Sequence, residues 1–149
     1  MAEIKNISIR SNPLDEIMID GDESRIIRLD LADIGVFARF DAAIPELDKI
    51  EQRFRELSNA EGDELQQMQG YAKALAAAET ELAAIIDGIF NAEVCKTCAG
   101  GASLFALDNG SFLYERIVEA VGGLYGDRLK GQVAERRKRL AKHTAKYGK

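Results

Sequence analysis

The stretch Ile26-Ile27-Arg28-Leu29-Asp30-Leu31-Ala32-Asp33-Ile34-Gly35-Val36-Phe37-Ala38-Arg39-Phe40 holds the change of period on which the fold turns. Up to Leu29 it is a short, β-branched run of the kind that fits a pleated strand. Beyond it, Ile34, Phe37, Phe40, Ile44, Leu47, Ile50, Phe54 and Leu57 recur at steps of three or four, which places them on one side of a helix. Asp30 is a candidate N-cap, and Asp33 would sit well against the positive end of the helix dipole. Pro45 falls inside the stripe. It either kinks one helix or opens a second, because proline has no N–H for an interior position to donate.

On the N-terminal side, Ile17-Met18-Ile19 and Ile26-Ile27-Arg28-Leu29 flank Asp20-Gly21, which predicts a β-hairpin with Gly21 supplying the positive φ of the turn. Ile4, Ile7 and Ile9 lie before the breaker Ser11-Asn12-Pro13. A two-stranded hairpin is marginal in water, so it must lie on the helices or pair with another edge.

On the C-terminal side, Asn59-Ala60-Glu61-Gly62 reads as a break, and Asp63 with Gln66 has the spacing of a capping box. The helix that follows carries Leu65, Met68, Tyr71, Ala72, Leu75, Leu82, Ile85 and Ile86, with alanines that permit close helix approach. Gly88, Gly100-Gly101 and Asp108-Asn109-Gly110 punctuate what comes next. Ser111 is read as the cap of a short helix reaching Val121, and Leu124 to Tyr147 as a separate final helix after Gly122-Gly123. The expected fold is mainly α, a single domain over 1–149 with four to five helices. Its parts are a small N-terminal β-hairpin region over 1–29, an acidic helical body over 30–127 and a basic C-terminal helix over 128–149.

The charge split defines those last two parts. Residues 1–127 hold 11 Lys and Arg against 24 Asp and Glu, a net of −13, whereas 128–149 hold nine against Glu135 alone, a net of +8. The basic end is either a solvated helix face or a surface that docks on something acidic: nucleic acid, a partner, or the body of a neighbouring copy. Nucleic acid fits least, because the body repels phosphate and Tyr147 is the tail's only aromatic for stacking. No apolar run is long enough to span a bilayer, so no membrane partner is expected. The N-terminus lacks the basic and apolar regions of a signal peptide.

Chemistry-bearing motifs are incomplete. Cys95-Lys96-Thr97-Cys98 supplies half of a tetrahedral zinc site, but no second pair follows and the only histidine, His143, lies on the basic tail. A redox CxxC would follow a strand and open a helix, whereas Ile85 to Phe90 reads as helix, so both cysteines are expected to be reduced and packed. His143 has no local nucleophile to activate, the carboxylates are scattered along helix faces, and Gly100-Gly101-Ala102-Ser103 lacks the Lys-Ser/Thr of a phosphate loop. Asp20-Gly21-Asp22-Glu23 lacks the ligand spacing of a calcium loop. The expectation is a protein that is not an enzyme, with no catalytic, cofactor-binding or metal residues.

The order strand, aspartate and aromatic-rich helix in Ile26 to Phe40 resembles small tail assembly chaperones of long-tailed phages and prophages of Gram-positive bacteria. Ile86-Asp87-Gly88-Ile89-Phe90-Asn91-Ala92-Glu93-Val94-Cys95 resembles a second stretch of that family, and Arg136-Arg137-Lys138-Arg139 its basic ending. Asn91 stands where the family carries glycine, and Cys98 is an addition. The resemblance implies a mainly helical, self-associating homo-oligomer in the host cytoplasm. It would coat the tape measure protein until the tail tube protein polymerises around it. In that role Phe37, Phe40 and Phe54 would be partner-facing and Arg136, Arg137 and Arg139 would make charge contacts, unless the three phenylalanines are core. Two other classes compete. An acidic inhibitor or regulator would bind a basic-grooved host protein, and a virion component would remain in finished particles.

Overall fold

The computed structural model describes residues 2–9, 14–56 and 62–147, with side chains described as far as Lys142. Strands β1 (Asp15–Ile19) and β2 (Asp22–Leu29) form an antiparallel hairpin. Helices α1 (Gly35–Glu56) and α2 (Glu64–Phe90) follow, then the short α3 (Cys95–Ala99). A two-residue ladder of β3 (Leu107–Asp108) and β4 (Ser111–Phe112) leads into α4 (Leu113–Tyr147). The architecture is mainly helical, with four helices and a small N-terminal hairpin, as the sequence predicts.

The hairpin turn puts both Asp20 (φ 52°) and Gly21 (φ 71°) in the left-handed region, the pairing whose twist matches two antiparallel strands. Ile17 pairs with Ile27 and Met18 with Ile26, after which the register slips and Ile19 meets Asp22. The slip is occupied by Glu23, Ser24 and Arg25, and Asp22 accepts hydrogen bonds from the N–H and hydroxyl of Ser24 (3.0 and 2.7 Å). Ile27 and Leu29 are buried while Met18 and Ile26 face out, so the hairpin covers the helices with one face. Residues 2–9 stand outside any strand, with Ile4, Ile7 and Ile9 exposed.

Helix α1 begins at Gly35, five residues after the expected Asp30 cap. Asp30 instead accepts from Ala32 N–H in a turn, and it is Asp33 that takes the N–H of Gly35 (3.0 Å). The helix then runs through Pro45 without dividing. Asp63 and Gln66 form the expected capping box at the start of α2 (2.7 and 3.3 Å). Gly88 does not end α2; Asn91 does, in the left-handed conformation (φ 53°). The Asn59–Gly62 break falls largely, and Leu57 wholly, outside the described residues.

Two expectations for the C-terminal third are corrected. Ser111 belongs to β4 rather than to the start of a helix, and the N–H of Phe112 is taken by Glu115 (3.2 Å). Gly122-Gly123 does not separate two helices, because α4 is one helix of 35 residues. Tyr114, Ile117, Val121 and Tyr125 are buried along a single face, and that continuous stripe holds the backbone helical through the glycines. The core lies where this stripe meets Leu29, Ile50, Leu82, Ile86, Ile89 and Val94.

Candidate functional site

Helix α1 buries Val36, Ala43 and Ile50, which recur every seventh residue. Its apolar arc is wider than this buried line. Phe37, Phe40 and Ile44 lie on its flank, just after Ile34, and all are exposed, Phe37 by 42 % and Phe40 by 37 %. Phe37 and Phe40 form one wall of an apolar groove of about 270 Å³. Ile89 and Phe90 at the end of α2 supply its floor, and Val118, Glu119 and Gly122 of α4 the opposite wall. Gly122 lacks a side chain where one would project into the space. Apolar surface of this kind, left open between two helices, is the usual means by which a fold holds a third helix.

The groove has one carboxylate in its lining, and more lie beyond its end. Glu119 lines it directly. Further along the α1–α4 seam, the Tyr114 hydroxyl donates to Glu51, with Asp48 and Glu115 close by. Burial and then these carboxylates push the Tyr114 pKa well above the ordinary phenol range. Arg55 also contacts Glu51 (2.7 Å).

Phe54 belongs elsewhere. It stacks on Phe105 with ring centroids 4.3 Å apart and planes 6° from parallel, and it meets Tyr71 and Phe112 at 5.6 and 5.9 Å. This cluster, closed by Tyr114, ties α1 to the segment before α4. Phe54 is therefore packed inside the domain, about 21 Å along α1 from Phe40.

Arg136, Arg137 and Arg139 lie on the last turns of α4, where every described side chain from Gly131 to Lys142 is exposed. Arg139 pairs along its own helix with Glu135 (3.8 Å). At the other end of the basic segment Arg128 reaches back to Asp15 of β1 (3.1 Å) and ties α4 to the hairpin. Arg136 is about 21 Å beyond Gly122, so the aromatic groove and the arginine cluster are two separate surfaces of one chain.

The cysteines occupy neither surface. Cys95 is buried and Cys98 half-buried, and both are free thiols. Burial pushes both up, Cys98 to about 11, and Asp87 adds to the effect on Cys95. Cys98 lies beside Ile117, Val121 and Leu124, and His143 is about 28 Å further along α4 than Leu124. Among the described residues no three His, Cys, Asp or Glu side chains gather as metal ligands. No described helix is long and apolar enough to cross a membrane.

Three charged residues set this geometry without having been singled out in the sequence. Asp87 accepts from the N–H groups of Val94 and Cys95 (both 2.9 Å), fixing the turn after α2. Arg39 donates to the carbonyl of Ile89 (2.8 Å) and pairs with Asp33 (2.6 Å), which holds the start of α1 against the end of α2 and so sets the groove's width. Arg25 donates to the carbonyls of Thr97 and Cys98 and locks α3 to the hairpin. For Asp87 and Arg39 the one legible signal is a charge inside an apolar run, and Arg25, after Asp22-Glu23-Ser24, has none.

No family model, curated protein or solved structure matches this chain.

Proposed function

We propose that this protein is a non-enzymatic tail assembly chaperone of a long-tailed phage or prophage. In this reading it acts in the host cytoplasm, self-associates, and binds the tape measure protein until the tail tube protein replaces it. The observation that carries the reading is the open groove at Phe37 and Phe40, an apolar surface sized for helix side chains and placed between two helices. A chaperone for a long amphipathic helix needs such a surface and needs no reacting group. Its partner-facing residues are Phe37 and Phe40, while Phe54 serves the core.

The test is purification of the tagged protein from cells expressing the whole phage locus, with partners identified by mass spectrometry. The reading expects one very long helical protein carrying many copies of this chain, and its loss when Phe37 and Phe40 are replaced by Ser in a variant that keeps its circular dichroism spectrum. Recovery of a single host protein at near-equal stoichiometry, released by salt, would overturn it in favour of an acidic inhibitor. Presence of the chain in finished particles would overturn it in favour of a virion component.

A further inference from the structure

The end of α4 and the groove are complementary in three respects. The first is spacing. Val133 and Leu140, 42 % and 56 % exposed, are seven residues apart on one face of α4, about 10 Å along the axis. Phe37 and Ile44 are likewise seven apart on the exposed flank of α1, with Phe40 between them. The second is charge: Lys130, Arg136 and Arg137 flank the tail's apolar pair on the same side of α4, with Lys138, Arg139 and Lys142 adding positive charge on its other sides against Glu135 alone. Glu119 lines the groove, and Asp48, Glu51 and Glu115 lie around Tyr114, beyond its end on α1 and α4. The third is availability, since every described side chain of residues 131–142 is exposed and the body covers none of them.

These surfaces cannot meet within one molecule. Val118, in the groove wall, and Val133 belong to one unbroken helix, which holds them about 22 Å apart. We propose that the groove of one copy receives the α4 tail of a second copy. Val133 and Leu140 then lie on Phe37, Phe40 and Ile44, and Arg136 and Arg137 on either side of them face Glu119 and, beyond the groove's end, Asp48 and Glu115. The contact joins two different surfaces, so it is heterologous and repeats from copy to copy. It rests on the reading of the groove as a helix-binding site; the tail and a tape measure helix would occupy that groove in turn, so self-association needs no tape measure protein and would give way to it. A contact of a few helical turns is small, so its affinity depends on opposite charges and falls with salt.

The experiment is sedimentation velocity on the full chain from 5 to 200 µM, in 50 and 500 mM NaCl. The expected result is a mass that rises with concentration at low salt and returns to the monomer at high salt. Arg136→Glu/Arg137→Glu/Arg139→Glu should be monomeric under both conditions, as should Asp48→Lys/Glu119→Lys. All five positions are exposed, and circular dichroism checks that each variant is folded. Mixed at equal concentration, the two variants should associate again, because each reversed surface then meets an opposite charge on the other partner. A monomeric wild type at 200 µM in low salt would overturn the proposal. So would reversed variants that associate like wild type, or a mixture that stays monomeric. Failure to capture a tape measure protein would leave this result unchanged, which separates the two readings.

Discussion

Glycines 122, 123, 126 and 131 all lie inside α4, and a Cβ built on any of them meets no atom within 4 Å. In a helix interior glycine costs roughly 0.5–1 kcal/mol relative to alanine, because its unfolded backbone has more freedom to lose. Nothing in the structure sets a steric penalty against that gain. Gly123→Ala and Gly126→Ala should therefore each stabilise the domain by about 0.7 kcal/mol. At this chain length 1 kcal/mol moves the melting temperature by about 3–4 °C, so the pair should raise Tm by about 5 °C. Gly131→Ala provides the internal control. It lies where α4 is fully exposed, so it should increase helicity at 222 nm and leave Tm where it is. Calorimetry together with circular dichroism melts at low protein concentration and 500 mM NaCl, where any copy contact is screened, decides the matter. A fall in Tm for Gly123→Ala or Gly126→Ala would refute the reasoning, since it would mean that the methyl group meets something the structure does not place there.

Three further outcomes follow from the packing. Asp87→Ala removes the acceptor of two backbone N–H groups and should cost about 2–4 kcal/mol in urea unfolding, whereas Asp87→Asn, which keeps one carbonyl oxygen, should cost less. Phe54→Ala should cost about 3–5 kcal/mol, and Phe37→Ala clearly less because its ring is already partly in water; equal losses would contradict the division between core and groove. With Cys98 raised from 9.0 to about 11, its thiolate at pH 8 is about a hundredfold scarcer than in the unfolded chain, and alkylation should be slower in the folded protein, though by less than that factor because a higher-pKa thiolate is the better nucleophile. The native state holds this proton more tightly, so the same group should erode stability as pH rises from 9 to 11, read as a falling urea midpoint in that window.

What was legible in the sequence is what is local. Asp20-Gly21 and Asp63 with Gln66 act through the next few backbone atoms, and each forms the turn or cap that its spacing predicts. Asp30 and Ser111 have the same chemistry but lose to their surroundings, because Arg39 draws Asp33 into the start of α1 and the β3–β4 ladder claims Ser111. Gly122-Gly123 misleads for a related reason: the burial of Val121 and Tyr125 on either side outweighs the propensity of two glycines. The stripe from Ile34 to Phe54 is legible as a face but not as a division of that face. Periodicity identifies the residues on one side of a helix, and only the packing divides them into the buried Ile50, the clustered Phe54 and the groove-lining Phe37 and Phe40.

Because one helix forms the groove wall and then leaves the body, α4 acts as a ruler. Val133 lies about 16 Å beyond Gly122 and Leu140 about 27 Å, distances written in residue count rather than in any adjustable joint. A filament of copies linked through it would inherit its pitch from that count. Inserting a single residue between Gly126 and Gly131 would lengthen the rod by only about 1.5 Å but turn its far end by about 100°, carrying the apolar pair to another side of the helix. Periodicity of the assembly would thus be tuned by insertions and deletions far more sharply than by substitution.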